Sequence, residues 1–216
     1  MKKGVVMLSK VKVKLVGGIQ RDHPLQADDT SITLARNSLI AVDLSDLGDC
    51  TNVEEILLDG NYLMAIDLSP LKSCKNLRRL ILRSNKLGAI DLEPLQECNV
   101  LEELDLGENN LIRLNLEPLR KCSNLRTLSL DSNRLLQLEL EPLSGHMNLE
   151  DIDISDNRLV KLEISSLFTC SSLKNFKVDF SLKITSSLLK RVGPSNPPPL
   201  NDLIRNLRVK FLAVPP

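Results

Sequence analysis

The sequence predicts an α/β fold: a curved solenoid with a parallel β-sheet on its concave face and short helical turns on its convex face. Three regularities carry that prediction. Asn37, Asn61, Asn85, Asn109, Asn133 and Asn157 fall 24 residues apart. Apolar residues keep fixed places around each asparagine. Ile32, Ile56, Leu80, Leu104, Leu128 and Ile152 stand five before it, a leucine or isoleucine stands three before, and a leucine stands two after. Pro70, Pro94, Pro118 and Pro142 form a further column at the same period. A period of this length, kept without a slip, marks stacked coils that cannot bury their apolar side singly.

The elements follow in chain order. The opening, "MKKGVVMLSKVKVKLVGG", is basic, but Lys10, Lys12 and Lys14 interrupt any signal-peptide core. Alternation instead puts Val11, Val13 and Leu15 on one face of a strand. Residues 1–28 are read as an N-terminal capping segment and residues 29–192 as about seven repeats, the first and last atypical. Within a repeat, "LEELDL" alternates, so Leu104 and Leu106 share one strand face with Glu103 and Asp105 on the other. After each strand the chain turns, and a buried asparagine both donates and accepts, which suits it to the backbone groups left without ladder partners. The proline column suits the first turn of a helix, where a missing N–H costs nothing. Ser69 is expected to cap one such turn, with Glu93, Glu117 and Glu141 favouring the positive end of others. Residues 193–216 open with "GPSNPPPL", too proline-rich to continue a solenoid. Leu200, Leu203, Ile204 and Leu207 then recur at helical spacing, expected to cover the open end of the last coil.

The pattern L-x-x-L-x-L-x-x-N-x-L resembles the leucine-rich repeat family, and "LEELDLGENNL" (101–111) meets it at every defined position. The resemblance covers about residues 29–182. It implies a right-handed solenoid bent into a horseshoe arc, and a concave face that binds partners. Asp29 departs from the pattern in the first repeat, and Ser181 stands where a seventh asparagine is expected.

Charge and composition exclude several functions. Lys+Arg and Asp+Glu both total 28, yet residues 21–170 carry 15 basic and 26 acidic groups. An acidic body argues against nucleic acid, which needs clustered cations. Aromatics are 2% of the chain, too few for stacking platforms. No run reaches the roughly 18 apolar residues of a membrane helix. A cytoplasmic monomer with reduced thiols is expected.

All five cysteines, Cys50, Cys74, Cys98, Cys122 and Cys170, lie 13 residues after a ladder asparagine, and His146 fills the remaining slot. Zinc needs about four ligands around one point, and a straight row of coils offers two. Disulfides need Cβ atoms about 3.5–4.5 Å apart, closer than stacked side chains usually come. The plain reading is small buried filler, with His146 a surface or edge substitution beside Gly145. No metal or cofactor is expected. An enzyme or enzyme subunit using His146 with Cys122 or Cys170 is the alternative; a structural or assembly role without a single partner is another.

Variable positions on the strand face are therefore the candidate site. Six before each asparagine stand Glu55, Arg79, Glu103 and Asp151; four before, Leu57, Ile81, Asp105 and Asp153; two before, Asp59, Arg83 and Asp131. These columns form charge bands around an apolar step at Leu57 and Ile81. Arg79 and Arg83 are the expected anchors for acidic groups of a partner protein, and Glu103, Asp105, Asp151 and Asp153 for basic ones. The expected function is a non-enzymatic protein-interaction module that binds on this face.

Overall fold

The computed structural model describes residues 7–26, 29–49, 52–187, 194–206 and 208–211. Cys50, Leu207 and the expected boundaries after residues 28 and 192 lie outside the described residues. Seven short strands stack in parallel. They are β3 (Ser31–Thr33), β5 (Glu55–Leu57), β6 (Arg79–Ile81), β7 (Glu103–Asp105), β8 (Thr127–Ser129), β9 (Asp151–Asp153) and β11 (Asn175–Lys177). Their spatial order is their order in the chain. Each pairs with the next at an offset of 24, as in Leu80↔Leu104 and Leu104↔Leu128. The sequence period is therefore the sheet register itself. One side chain per strand points inward: Ile56, Leu80, Leu104 and Leu128 are fully buried.

The convex side carries 3-10 turns at Ser69–Ser73, Glu93–Glu97, Glu117–Lys121, Glu141–Leu143 and Ser165–Thr169. Proline sits in the first turn at the four expected coils. The caps differ from expectation. Leu68, Leu92, Leu116 and Leu140 hold the N-cap position without a side-chain bond. The polar cap lies one residue earlier: Asp67, Asp91 and Asn115 accept from the N–H of Ser69, Glu93 and Glu117 at 2.8, 3.0 and 2.9 Å. An Asx side chain reaches the amide two residues on without lengthening the turn, so it displaces Ser69 from the capping role.

The two ends are built alike from different parts. In the first coil the segment after Asn37 becomes β4 (Leu39–Asp43), and β1 (Met7–Leu15) pairs antiparallel with it and with β2 (Gln20–Gln26). The alternation read in β1 holds, with Val11 and Val13 buried. In the sixth coil the matching segment becomes β10 (Lys161–Glu163), which pairs in parallel with β12 (Lys183–Ser186), and β12 in turn with β13 (Val209–Phe211). Between them α1 (Pro198–Arg205) buries Leu200 and Leu203 against the last coil. The helix was legible from its spacing; β13 was not.

The seventh coil is two residues short. β11 pairs with β9 at an offset of 24, but β12 pairs with β10 at 22. Asp179, not Ser181, therefore closes the ladder, and its carboxylate accepts the N–H of Asp156 at 2.8 Å and of Asn157 at 3.2 Å.

Candidate functional site

The concave face is assembled from the outward positions of β3, β5 to β9 and β11, so its columns are as straight as the register. What the sequence did not display is that opposite charges at a spacing of 24 are cross-strand neighbours and pair with each other. Arg79 donates to Glu103 at 2.7 Å and to Glu55 at 3.1 Å. Arg78, beside it, is bridged to Glu102 and Glu54. Hydrogen bonding to Glu103 and then Glu55 raises the Arg79 pKa above its ordinary value.

Arg83 reaches further. Its guanidinium donates to both oxygens of Asp131, two coils away, at 2.8 and 2.7 Å. It also meets Glu108 at 2.8 Å and Asp105 at 3.4 Å. The hydrogen bonds to Asp131 raise its pKa despite the cost of burial. Gly107 makes this span possible. It lies in the same column as Arg83 and Asp131, midway between them, and a Cβ there would stand 2.2 Å from Arg83 Nη1 and 2.7 Å from Asp131 Oδ1. The bare backbone of one coil is the channel through which Arg83 crosses. Sequence reasoning passed over Gly107; the signal was a small residue between opposite charges spaced 48 apart.

Two expectations are revised here. Arg79 and Arg83 are not free cations awaiting a partner's acids: Arg79 is already paired with Glu55 and Glu103, and Arg83 with Glu108 and Asp131. Nor is Ile81 exposed: it is 9% accessible, and Leu57 beside it is half-buried. Glu103 and Asp105 beside them are half-buried. Burial raises the Asp105 pKa, against the Gly107 N–H and Arg83, which stabilise the charged form. Asp153 shows the opposite balance: burial is outweighed by the Ser155 hydroxyl and by Lys177 at 3.0 Å, and its pKa falls. Lys174 pairs with Glu150, and Asn175 donates to Asp151.

Internal pairing leaves a surplus. Across the three outward columns, Glu55, Asp59, Glu103, Asp105, Asp131, Asp151, Asp153 and Asp179 stand against Arg79, Arg83 and Lys177. The face carries eight acids and three bases, and all three bases are paired.

The cysteine column has a common chemistry. Cys74, Cys98, Cys122 and Cys170 are buried and free. The thiol of Cys98 points at the Leu71 carbonyl at 3.6 Å, that of Cys122 at Leu95 at 3.5 Å and that of Cys170 at Leu143 at 3.3 Å. His146 is not a surface substitution. It is 2% accessible, and its Nε2 meets the Leu119 carbonyl at 3.1 Å, the equivalent atom. The slot asks for a donor that reaches the leucine carbonyl within the turn of the preceding coil, and cysteine and histidine both supply one. Burial pushes the thiols up, Cys98 to about 12 and Cys122 and Cys170 to about 11. At neutral pH they are protonated and weakly nucleophilic.

A family model described as leucine rich repeat matches residues 75–135. No curated protein matches the chain in sequence. Among solved structures, an internalin from Listeria monocytogenes is 24% identical, with a TM-score of 0.57 over 76% of this chain and 50% of its own. A second internalin from that organism is 22% identical, with a TM-score of 0.60 over 78% of this chain and 71% of its own. The leucine-rich repeat ectodomain of a receptor kinase from Arabidopsis thaliana is 26% identical, with a TM-score of 0.52 over 67% of this chain and 76% of its own. The chain thus spans half the length of the first internalin. The likeness to the internalins is one of fold: stacked coils with a parallel sheet and short turns.

Proposed function

We propose that this leucine-rich repeat solenoid is a non-enzymatic interaction module that takes a basic segment of a partner protein on its concave face. The carrying observation is the fate of the charges. Every cation in the outward columns is already paired, while acids remain in excess. A partner therefore meets a face with a net excess of carboxylates. The shortage of Trp and Tyr argues against a tight aromatic hot spot, so electrostatics contributes mainly to association rate and selectivity. The same reading places the protein in the cytoplasm as a monomer, with its thiol column kept reduced.

The test replaces Asp151 and Asp153 by lysine and measures association with a partner recovered from native lysate, over a salt series. Association slows by about tenfold and its salt dependence flattens, because screened attraction is what has been removed. Glu93→Lys with Glu117→Lys on the convex side leaves both unchanged. If the convex pair weakens binding and the concave pair does not, the face has been assigned wrongly.

A further inference from the structure

We infer a second docking surface, on the edge of the solenoid just past the asparagine ladder, that fits an acidic amphipathic α-helix. Three residues after each asparagine stand Ile40, Met64, Gly88, Ile112, Leu136 and Val160. Their neighbours one residue earlier are core leucines, but Met64 is 75% accessible, Ile112 47%, Leu136 49% and Val160 76%. A single exposed apolar residue needs no explanation; a row of them in one column of consecutive coils does. The row is extended at its N-terminal end. Val16, 55% accessible, donates its N–H to the Ser38 carbonyl at 2.9 Å, and with Ile40, Tyr62 and Met64 it lines an open hollow.

Charge follows the same line. Lys86, Arg134 and Arg158 stand one residue after an asparagine, and Arg113 and Lys161 four after; neither column holds an acid in any of the six coils. Among the described residues no carboxylate is within ion-pair distance of these five cations, in contrast with Arg79 and Arg83. Acids return on both sides, at Glu108 and Asp156 before the strip and at Asp67, Asp91, Glu139 and Glu163 beyond it. The strip is thus about three residues wide, roughly 10 Å of extended chain.

Those dimensions select the occupant. A helix with its side chains is about 10 Å across and repeats every 5.4 Å, close to the roughly 4.8 Å between coils. One helical turn meets one coil, so an apolar side chain per turn packs on the row while flanking acids face Lys86, Arg113 and Arg134. Gly88 interrupts the row, and a Cβ built there meets nothing within 4 Å. It leaves a notch between Met64 and Ile112 for one large apolar side chain of the helix. A flat anionic bilayer fits less well, because the acids on either side would meet it along with the cations.

The probe is a labelled synthetic 18-residue helix with leucines along one face and glutamates beside them, titrated against the full chain by fluorescence anisotropy. We expect it to bind at least tenfold tighter than a scrambled peptide of the same composition. Gly88→Glu fills the notch with bulk and like charge, and Leu136→Glu does so on the row; both positions are open, so the fold is kept, and each weakens binding at least tenfold. The concave Asp151→Lys, Asp153→Lys protein binds the probe undiminished, which separates this surface from the one proposed above. Equal binding of the scrambled peptide, indifference to Gly88→Glu, or preferential binding to phosphatidylserine vesicles would each overturn the assignment.

Discussion

Asn109 and Asn37 occupy the same place in the repeat and contribute differently. Asn109 is buried. Its amide donates to the carbonyls of Leu82, Leu106 and Gly107 at 3.0, 3.1 and 3.0 Å, and its oxygen accepts the Leu87 N–H at 3.0 Å. Two coils are joined by one side chain. Asn37 is exposed, and its amide donates to Ala35 in its own coil at 2.8 Å. The ladder runs toward the N-terminus, so the first asparagine has no earlier coil to serve. The worth of a repeat residue is set by the neighbour it can reach, which the repeat pattern does not record.

The largest effect that sharpens this contrast is at the ladder itself. Asn109→Ala leaves backbone groups of two coils unpaired in the interior and costs about 1–3 kcal/mol. Asn37→Ala changes stability by about 0.5 kcal/mol or less, as exposed substitutions usually do. Asn157, half-buried but still accepting from Leu135, falls between. Urea unfolding of the three proteins supplies the ranking, and equal losses at Asn37 and Asn109 would break the comparison.

A pair of glycines gives the next largest effect. Gly107→Ala drives a Cβ against the Arg83 and Asp131 side-chain ends. The guanidinium must withdraw and leave a nearly buried carboxylate short of its partner, at about 1–2 kcal/mol. Gly88→Ala enters open space and lowers the entropy of the unfolded chain, so it is neutral or slightly stabilising. Thermal unfolding of both decides the matter: if Gly107→Ala is as mild as Gly88→Ala, Arg83 does not depend on the bare coil.

The smallest effect is in the thiol column. Cys98→Ala removes one sulfur from the core and costs about 1 kcal/mol. In the native protein Cys74, Cys98, Cys122 and Cys170 stay unlabelled by a thiol reagent until urea unfolds the chain, as mass mapping of the label will show. Rapid native labelling at any of the four would contradict their burial.

Much of this was legible beforehand. Six asparagines at one spacing state the register, and β6 to β8 take it up without adjustment. The leucines around them name the core, and the prolines mark the turns. The charge columns were legible as columns, but their pairing was not. Arg79 reads as a basic band until its neighbours at ±24 are recognised as side-by-side strands, and the Arg83–Asp131 bridge needs the absence of a side chain at Gly107. The capping role of Asp67 and Asp91 was open to reading from their own period, yet the proline column drew attention one step too late. His146 reads from the sequence as a surface or edge substitution, whereas this slot rewards any donor that reaches a buried carbonyl.

Periodicity alone sets the repeat, the inward and outward faces and the place of each turn, so these can be read from the chain directly. How the ends close depends on long-range pairing. "LIAVD" at 39–43 and "LVKLE" at 159–163 resemble the matching stretches of the inner coils. They become strands β4 and β10 because β1 and β12 lie beside them to pair with. Tertiary structure also decided that the seventh coil is short, so that a carboxylate at Asp179 completes the asparagine ladder. Hydrogen bonds and ion pairs between coils depend on which groups meet across a gap of about 4.8 Å. A local pattern specifies what each coil offers, and stacking determines what is accepted.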